Sequence, residues 1–71
     1  MEESVYKVIE LIGTSPNSFE EAARNAVETA AMSLKDLRIA EITKFDMKLE
    51  DDRIIAFRAR VNLSFKYDTS E

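Results

Sequence analysis

Residues 4–34 read SVYKVIELIGTSPNSFEEAARNAVETAAMSL, and this stretch predicts the fold. Its first part, residues 5–12, is rich in the β-branched and aromatic side chains that strands favour. Residues 13–17 then end the strand with turn chemistry, because Gly13 permits a positive φ and Pro16 fixes φ and lacks a donor. We therefore expect a strand over about residues 4–12, followed by a turn.

The second part of this stretch has the features of a helix N-terminus. Ser18 and Glu21 have the spacing of a capping box, in which the Ser18 hydroxyl accepts from the Glu21 amide and the Glu21 carboxylate reaches back to the Ser18 amide. From Phe19 onward, apolar residues recur at helical spacing, and most of them are alanine. These features predict a helix over about residues 19–35. Its alanine-rich face would let the helix axis lie close to whatever element packs against it.

Two further strands follow the helix. Over about residues 37–49 the apolar positions change face midway, which predicts a bulge or a bend. Over about residues 54–67 apolar and polar side chains alternate, and the apolar row is expected to face the helix. The acidic residues 50–52 form the turn between these strands. The predicted fold is α+β, with β-α-β-β order and a three-stranded antiparallel sheet wrapped around one helix, in a single domain over residues 1–71.

The composition limits how the fold is stabilised and what chemistry it performs. The 71 residues make one small domain and include no cysteine and no histidine. Disulfides, thiolate metal sites and the commonest general base are therefore excluded, and an enzyme is the least expected class. So small a core needs added stabilisation, and the first strand is apolar on both faces. We therefore expect copies of the chain to associate, with the second face covered by a neighbour.

The charge pattern restricts the partners. The net charge is −4, and the 10 basic and 14 acidic side chains are mixed along the chain without a basic block, so no nucleic-acid partner is expected. No apolar run approaches the roughly 20 residues that span a bilayer, so no membrane partner is expected either. The acidic segment Met1-Glu2-Glu3 lacks the hydrophobic character of a signal peptide. These features predict a cytoplasmic protein.

Residues 4–30, together with Leu37-Arg38 and Leu63-Ser64-Phe65-Lys66, resemble the dodecins. The resemblance extends over nearly the whole chain, and its most specific part is VYKVIELIGTSP followed by a Ser-aromatic-Glu helix start. The resemblance implies a sheet wrapped around one helix and a hollow homododecamer with tetrahedral symmetry that binds or stores a small ligand. Such an assembly agrees with the two apolar faces of the first strand.

Typical dodecins bind flavins, often as stacked pairs, and two positions of this chain differ from that group. Ile39 stands where the group has a tryptophan that stacks on the flavin ring. Arg58 stands where it has a glutamine that hydrogen-bonds the ring edge. The first replacement removes the stacking surface and the second removes an acceptor, and both argue against flavin.

The chain is more similar to a tryptophan-less branch described as calcium-binding dodecins, on the basis of residues 38–40, Asp46-Met47 and Arg58. Calcium takes about six to eight oxygen ligands, usually including several carboxylates. Asp46 and the acidic turn Glu50, Asp51 and Asp52 are the candidate metal ligands. The alternative is an ordinary solvated turn, which such acidic sequences form far more often.

The third strand carries Arg58, Arg60 and Lys66 on one face. Arginine forks match anionic groups, so these residues are candidates for binding a phosphate-bearing ligand. The alternative is a set of ion pairs between subunits, with Glu10, Glu41 or Asp46 as the partners. The sequence thus predicts a self-assembling protein that binds or stores a small ligand or ion, and it does not specify the cofactor. Flavin storage, calcium binding and a structural assembly without a dedicated ligand remain the alternatives.

Overall fold

A computed structural model describes residues 4–67 and confirms the predicted α+β architecture. The central strand of the three-stranded sheet is the last one in the chain, and it pairs antiparallel with both of the others. The helix packs mainly against the first and third strands and only slightly against the second. The elements in chain order are β1 (Tyr6–Ser15), α1 (Phe19–Ala31), β2 (Leu37–Glu50) and β3 (Arg53–Lys66). Within the described residues, α1 lacks the length and apolar character of a membrane-spanning segment.

The core lies between α1 and β3, and its members are small. Its buried apolar residues are Ala22, Ala26, Ala30, Ala59, Val61 and Leu63. The strand residues of this core belong to the alternating apolar row of β3, so the prediction that this row faces the helix is confirmed. Because three of the six are helix alanines, α1 lies close to the sheet, as the alanine-rich face predicted.

Gly13 lies inside β1, and the prediction that it starts the turn with a positive φ is wrong. A Cβ atom at this position would overlap the backbone carbonyl oxygen of Ala22 and lie 3.0 Å from the Cβ atom of Ala26. Glycine is therefore required by the close approach of the helix. The strand continues to Ser15 rather than ending near residue 12.

The helix N-cap is Ser18, but the capping box is only half formed. The Ser18 hydroxyl accepts from the backbone N–H of Glu21 at 3.0 Å, as predicted. The Glu21 carboxylate does not return to the Ser18 amide; it accepts from the Ser15 hydroxyl and, at 2.7 Å, from Nδ2 of Asn17. The Ser18 amide instead donates to the Ser15 hydroxyl at 3.3 Å. The buried Ser15 therefore takes the place that the sequence pattern gave to Glu21.

The helix ends at Ala31 rather than near residue 35. The backbone N–H groups of Ser33 and Leu34 both donate to the Ala30 carbonyl, at 3.1 and 2.9 Å, which closes the last turn. Asp36 then adopts a left-handed conformation with φ 62°, which reverses the chain into β2. Aspartate tolerates this region better than most residues, so Asp36 suits the connection between α1 and β2.

The β2–β3 hairpin contains the predicted irregularity of β2 and a tight acidic turn. The pairing register of β2 shifts between Leu37 and Ile39, between Ile42 and Lys44, and between Lys48 and Leu49. The turn residues Asp51 and Asp52 have φ values of 52° and 62°, between the paired residues Glu50 and Arg53. Positive φ at both central residues is the geometry of a two-residue primed turn, so β3 begins at Arg53.

The hairpin is much longer than the helix that covers it. Strands of 14 residues extend about 46 Å at roughly 3.3 Å per residue. The 13-residue helix extends only about 20 Å at 1.5 Å per residue. The apolar side chains of Met47, Leu49, Ile54 and Ile55, which we call the hairpin end, are exposed in the single chain. The second apolar face of β1 is exposed as well, through Tyr6, Val8 and Ile12.

Candidate functional site

The face of the sheet turned away from α1, which we call the outer face, carries most of the side chains predicted to bind a ligand. It consists of the even-numbered residues of β3 and of the residues paired with them. Because paired residues project to the same side of a sheet, the register groups the side chains into rows. From one end of the sheet to the other, the rows are Val8–Ser64–Ile39, Glu10–Asn62–Glu41, Ile12–Arg60–Lys44 and Thr14–Arg58–Asp46.

Arg58 and Asp46 form a bidentate ion pair across the two strands. Nε of Arg58 donates to one carboxylate oxygen of Asp46 at 2.6 Å, and Nη2 donates to the other at 2.9 Å. The hydrogen bonds and charge of Arg58 lower the pKa of Asp46 below its ordinary value of 3.8, and those of Asp46 raise the pKa of Arg58. The fork geometry matches two parallel N–H···O bonds, which is the preferred arrangement for this pair.

Arg60 has a weaker partner in the neighbouring row. Its Nε atom lies 4.0 Å from a carboxylate oxygen of Glu10, at the limit of an ion pair. The main chain at Arg60 is tied to β2, because the Thr43 hydroxyl donates to its carbonyl oxygen at 3.3 Å. Glu10 and Glu41 lie on opposite sides of Asn62 in one row. Within the described residues, Glu10 therefore contacts Arg60 of its own chain, whereas Glu41 forms no ion pair.

The three cations predicted on β3 do not lie together. Arg58 and Arg60 are in adjacent rows, but Lys66 is opposite Tyr6 and roughly 20 Å further along β3 than Arg60. Lys44 takes the place of Lys66, because it pairs directly with Arg60. Lys44 was not predicted as a site residue, since it is the register shift around Thr43 that brings it to this face. The apolar face change between Ile42 and Phe45 was the signal that could have located it.

Ile39 and Arg58, which stand at the two flavin-contacting positions of typical dodecins, are far apart in one chain. Ile39 pairs with Ser64, whereas Arg58 is six positions earlier on β3, which corresponds to roughly 20 Å. This span exceeds the length of a flavin ring system. A single ring therefore contacts both positions only when two copies of the chain contribute one position each.

The predicted metal ligands form two separate groups. Asp46 is on the outer face and both of its oxygens bind Arg58. Glu50, Asp51 and Asp52 lie at the turn of the hairpin. In the part of the chain that the structure describes, no three acidic side chains come close enough together to hold a metal ion. The described acidic side chains of one chain thus do not fit calcium, and a calcium site built from them requires oxygens from several copies.

A cavity of about 290 Å³ lies in the groove between β1 and α1. Asn25 is at one side of it and donates from Nδ2 to the Thr14 carbonyl oxygen at 3.0 Å. Its lining residues carry no ionisable side chain: they are Leu11, Ile12, Gly13, Thr14, Asn25, Ala26 and Thr29. The groove therefore lacks an acid, a base or a charged nucleophile for catalysis.

Comparison with known protein families shows to which family the chain belongs. The family model described as Dodecin matches residues 5–68. The chain belongs to the dodecin family. A calcium dodecin from Mycobacterium tuberculosis is 46% identical over 63 residues, which cover 89% of each protein. This confirms the resemblance to dodecins and to their calcium-binding branch.

Solved dodecin structures agree with this assignment. A dodecin from Streptomyces coelicolor superposes with a TM-score of 0.89 at 33% identity, covering 99% of this chain and 100% of that one. A calcium dodecin from Mycobacterium tuberculosis, described as a calcium chelating antigen with a novel calcium-binding site, superposes with a TM-score of 0.82 at 44% identity. That comparison covers 96% of this dodecin and 97% of the other chain.

Proposed function

We propose that this dodecin is a small-ligand binding and storage protein that works as a closed dodecamer and whose ligand is calcium. The observation that carries the proposal is the 46% identity to a calcium dodecin over 89% of the chain. The exposed apolar surfaces of β1 and of the hairpin end support the assembly, because a lone chain leaves them in water.

The outer face gives two reasons to prefer calcium over flavin. Ile39 offers no aromatic surface for stacking. The Arg58 fork is already bound to Asp46, so it is not available to read the edge of a ring. Flavin storage would also need Ile39 and Arg58 from different copies, as their separation within one chain shows.

We assign the calcium ligands to the hairpin turn, with Glu50, Asp51 and Asp52 of several copies meeting in the assembly. These carboxylates lie at the tip of a long projection, where they are exposed. Asp46 is left out of this set because Arg58 occupies both of its oxygens. Carboxylate oxygens are the ligands that calcium prefers, and several copies together supply the number it requires.

A binding role fits the chain better than catalysis. The sequence has neither histidine nor cysteine. The groove beside α1 is lined by residues without ionisable groups. We therefore assign no reaction to this protein, and its net charge of −4 makes cations more suitable partners than nucleic acid.

The assignment can be tested by calorimetric titration of calcium into EDTA-treated, dialysed protein, combined with native mass spectrometry of the assembly. The double variant Asp51→Asn with Asp52→Asn removes two carboxylates and keeps residues that tolerate positive φ, so the turn is preserved. We expect calcium affinity to fall at least about tenfold in this variant. The control is Glu20→Gln with Glu28→Gln, two exposed acids of α1, which should leave the affinity unchanged.

Two results would contradict the proposal. Wild-type protein that gives no heat with millimolar calcium, and no rise in melting temperature, would exclude calcium as the ligand. Equal affinity in the turn variant and the helix variant would exclude the hairpin turn as the site. Quenching of riboflavin fluorescence by the wild-type protein would instead support flavin storage.

A further inference from the structure

The outer face has a basic region with one carboxylate inside it and a second, that of Glu10, at its border 4.0 Å from Nε of Arg60. The rows from Lys44 to Lys48 contain four cations, which are Lys44, Lys48, Arg58 and Arg60. The acid in these rows is Asp46. The remaining members of the rows are uncharged: they are Ile12, Thr14 and Ala56. This basic region would attract anions if Asp46 did not lie at its centre.

We infer that Asp46 is a specificity-determining residue, whose carboxylate occupies the Arg58 fork and closes the outer face to anionic small molecules such as phosphate-bearing cofactors. The bidentate contact, at 2.6 and 2.9 Å, uses the same two donors that would hold a ligand carboxylate or phosphate. Asp46 is thus a built-in substitute for the anionic group of a ligand.

The geometry gives two separate effects against a bound anion. A ligand must displace Asp46 from the fork, because Nε and Nη2 of Arg58 cannot serve both carboxylates at once. The displaced carboxylate then remains beside the bound anion and repels it, since the two strands hold Asp46 and Arg58 directly opposite each other. The Arg58 side chain is 36% exposed and that of Asp46 is 52% exposed, so a ligand can reach the fork in the single chain.

An exposed ion pair alone contributes little to the free energy of unfolding, so loss of Asp46 should leave the protein folded. The proposed role of Asp46 in excluding anions can therefore be distinguished from a structural role. The effect should therefore appear in ligand binding more than in stability. This role concerns a different surface from the calcium site proposed at the hairpin turn and does not depend on it.

The test uses FMN, which carries a phosphate and reports binding by its fluorescence, with riboflavin as the probe that lacks the phosphate. Titrations are made on the assembled protein in EDTA, so that calcium plays no part. We expect Asp46→Ala to bind FMN at least about tenfold more tightly than wild type, and riboflavin to gain much less. Adding Arg58→Ala to Asp46→Ala should abolish the gain, because the fork is then absent.

Glu41→Ala is the matched control. It removes the same charge from the same strand and the same face. Glu41, however, is opposite Asn62 and forms no ion pair with an arginine within the described residues. Its FMN affinity should stay near that of wild type. Asp46→Asn is the second variant, which removes the charge at nearly constant size and should reproduce the gain.

The inference is wrong if Glu41→Ala gains as much as Asp46→Ala, because net charge would then explain the change. It is also wrong if wild type already binds FMN as tightly as the Asp46 variants do. A folded Asp46→Asn protein, as judged by circular dichroism, that shows no gain in FMN affinity would overturn it as well.

Discussion

Ser15 is 2% exposed, and its hydroxyl group connects the end of β1 to the start of α1. It accepts from the backbone N–H of Asn17 at 2.9 Å and donates to the Glu21 carboxylate. A buried hydroxyl needs such partners, because leaving it unpaired costs about 1–3 kcal/mol. Among the described residues, no buried side-chain nitrogen or oxygen lacks a hydrogen bond. Glu21 therefore stabilises the turn, although the capping pattern assigned its carboxylate to the helix N-terminus.

The pH dependence of stability should show this role of Glu21. Hydrogen bonds from Ser15 and Asn17 lower the pKa of Glu21 below its ordinary value of 4.5, and the charge of Arg24 lowers it slightly further. A carboxyl with a lowered pKa contributes stability at neutral pH that is lost as the pH falls through its folded-state pKa. We expect Glu21→Gln to melt below wild type at neutral pH, with a gap that closes once the pH has fallen well below 4.5.

The melting temperatures can be measured by circular dichroism from neutral pH down to roughly pH 3, at one protein concentration. Glu20→Gln is the control, since Glu20 is an exposed acid in the same helical turn without these hydrogen bonds. It should show a smaller gap at neutral pH. A gap between Glu21→Gln and wild type that stays constant over the whole range would contradict the assigned role.

The turn of the β2–β3 hairpin holds two aspartates in the left-handed region, a conformation that is uncommon for residues other than glycine. Asp52 has φ 62°, a region that glycine occupies without cost and alanine does not. We expect Asp52→Gly to raise the free energy of unfolding by about 0.5 kcal/mol and Asp52→Ala to lower it by about 1 kcal/mol. Urea denaturation in EDTA at one subunit concentration measures both. Equal effects of the two substitutions would show that backbone strain at Asp52 does not limit the hairpin.

The sequence predicted the elements whose pattern is local. Strict alternation located β3 and its buried row, and the alanine spacing located α1. The contact of Gly13 with the helix and the early helix end at Ala31 were missed. The contact of Gly13 depends on how closely β1 and α1 approach each other, and residue spacing along one element does not report the distance between two. The helix end is set by a turn in which Ser33 and Leu34 donate to the Ala30 carbonyl, and no glycine or proline marks it in the sequence.

The outer face could be predicted only in part, for a related reason. The face of Arg58 and Arg60 followed from alternation along β3. Their partners depend on the register of β2, which the shifts around Thr43 and Leu49 set. A one-residue change of register turns a side chain to the other face, so the position of Lys44 beside Arg60 could not be read from the sequence. Asp46 was predicted as one of three possible partners between subunits, and the register shows that it pairs with Arg58 of its own chain.

The folded chain, taken alone, is elongated and its interior is small. It measures 53 × 20 × 15 Å, and its largest fully buried apolar side chains are Leu63 and Val61. Small cores of this kind supply only about 3–5 kcal/mol without further support. The hairpin end and the second face of β1 offer apolar surface that a neighbouring copy can cover, which is why we expect folding and assembly to be coupled.

A charge at the hairpin end should therefore break the assembly. Leu49 is 61% exposed in the single chain, and burying an added carboxylate there without a partner is unfavourable. We expect wild type to sediment well above the 8.1 kDa of one chain and Leu49→Glu to shift toward smaller species. Met32→Glu is the matched control, because Met32 is 84% exposed just after α1, far from the hairpin end, and should leave the assembly intact. If Leu49→Glu sediments like wild type, the copies do not meet at the hairpin end, and the turn carboxylates would lose the geometry by which several copies could share one calcium ion.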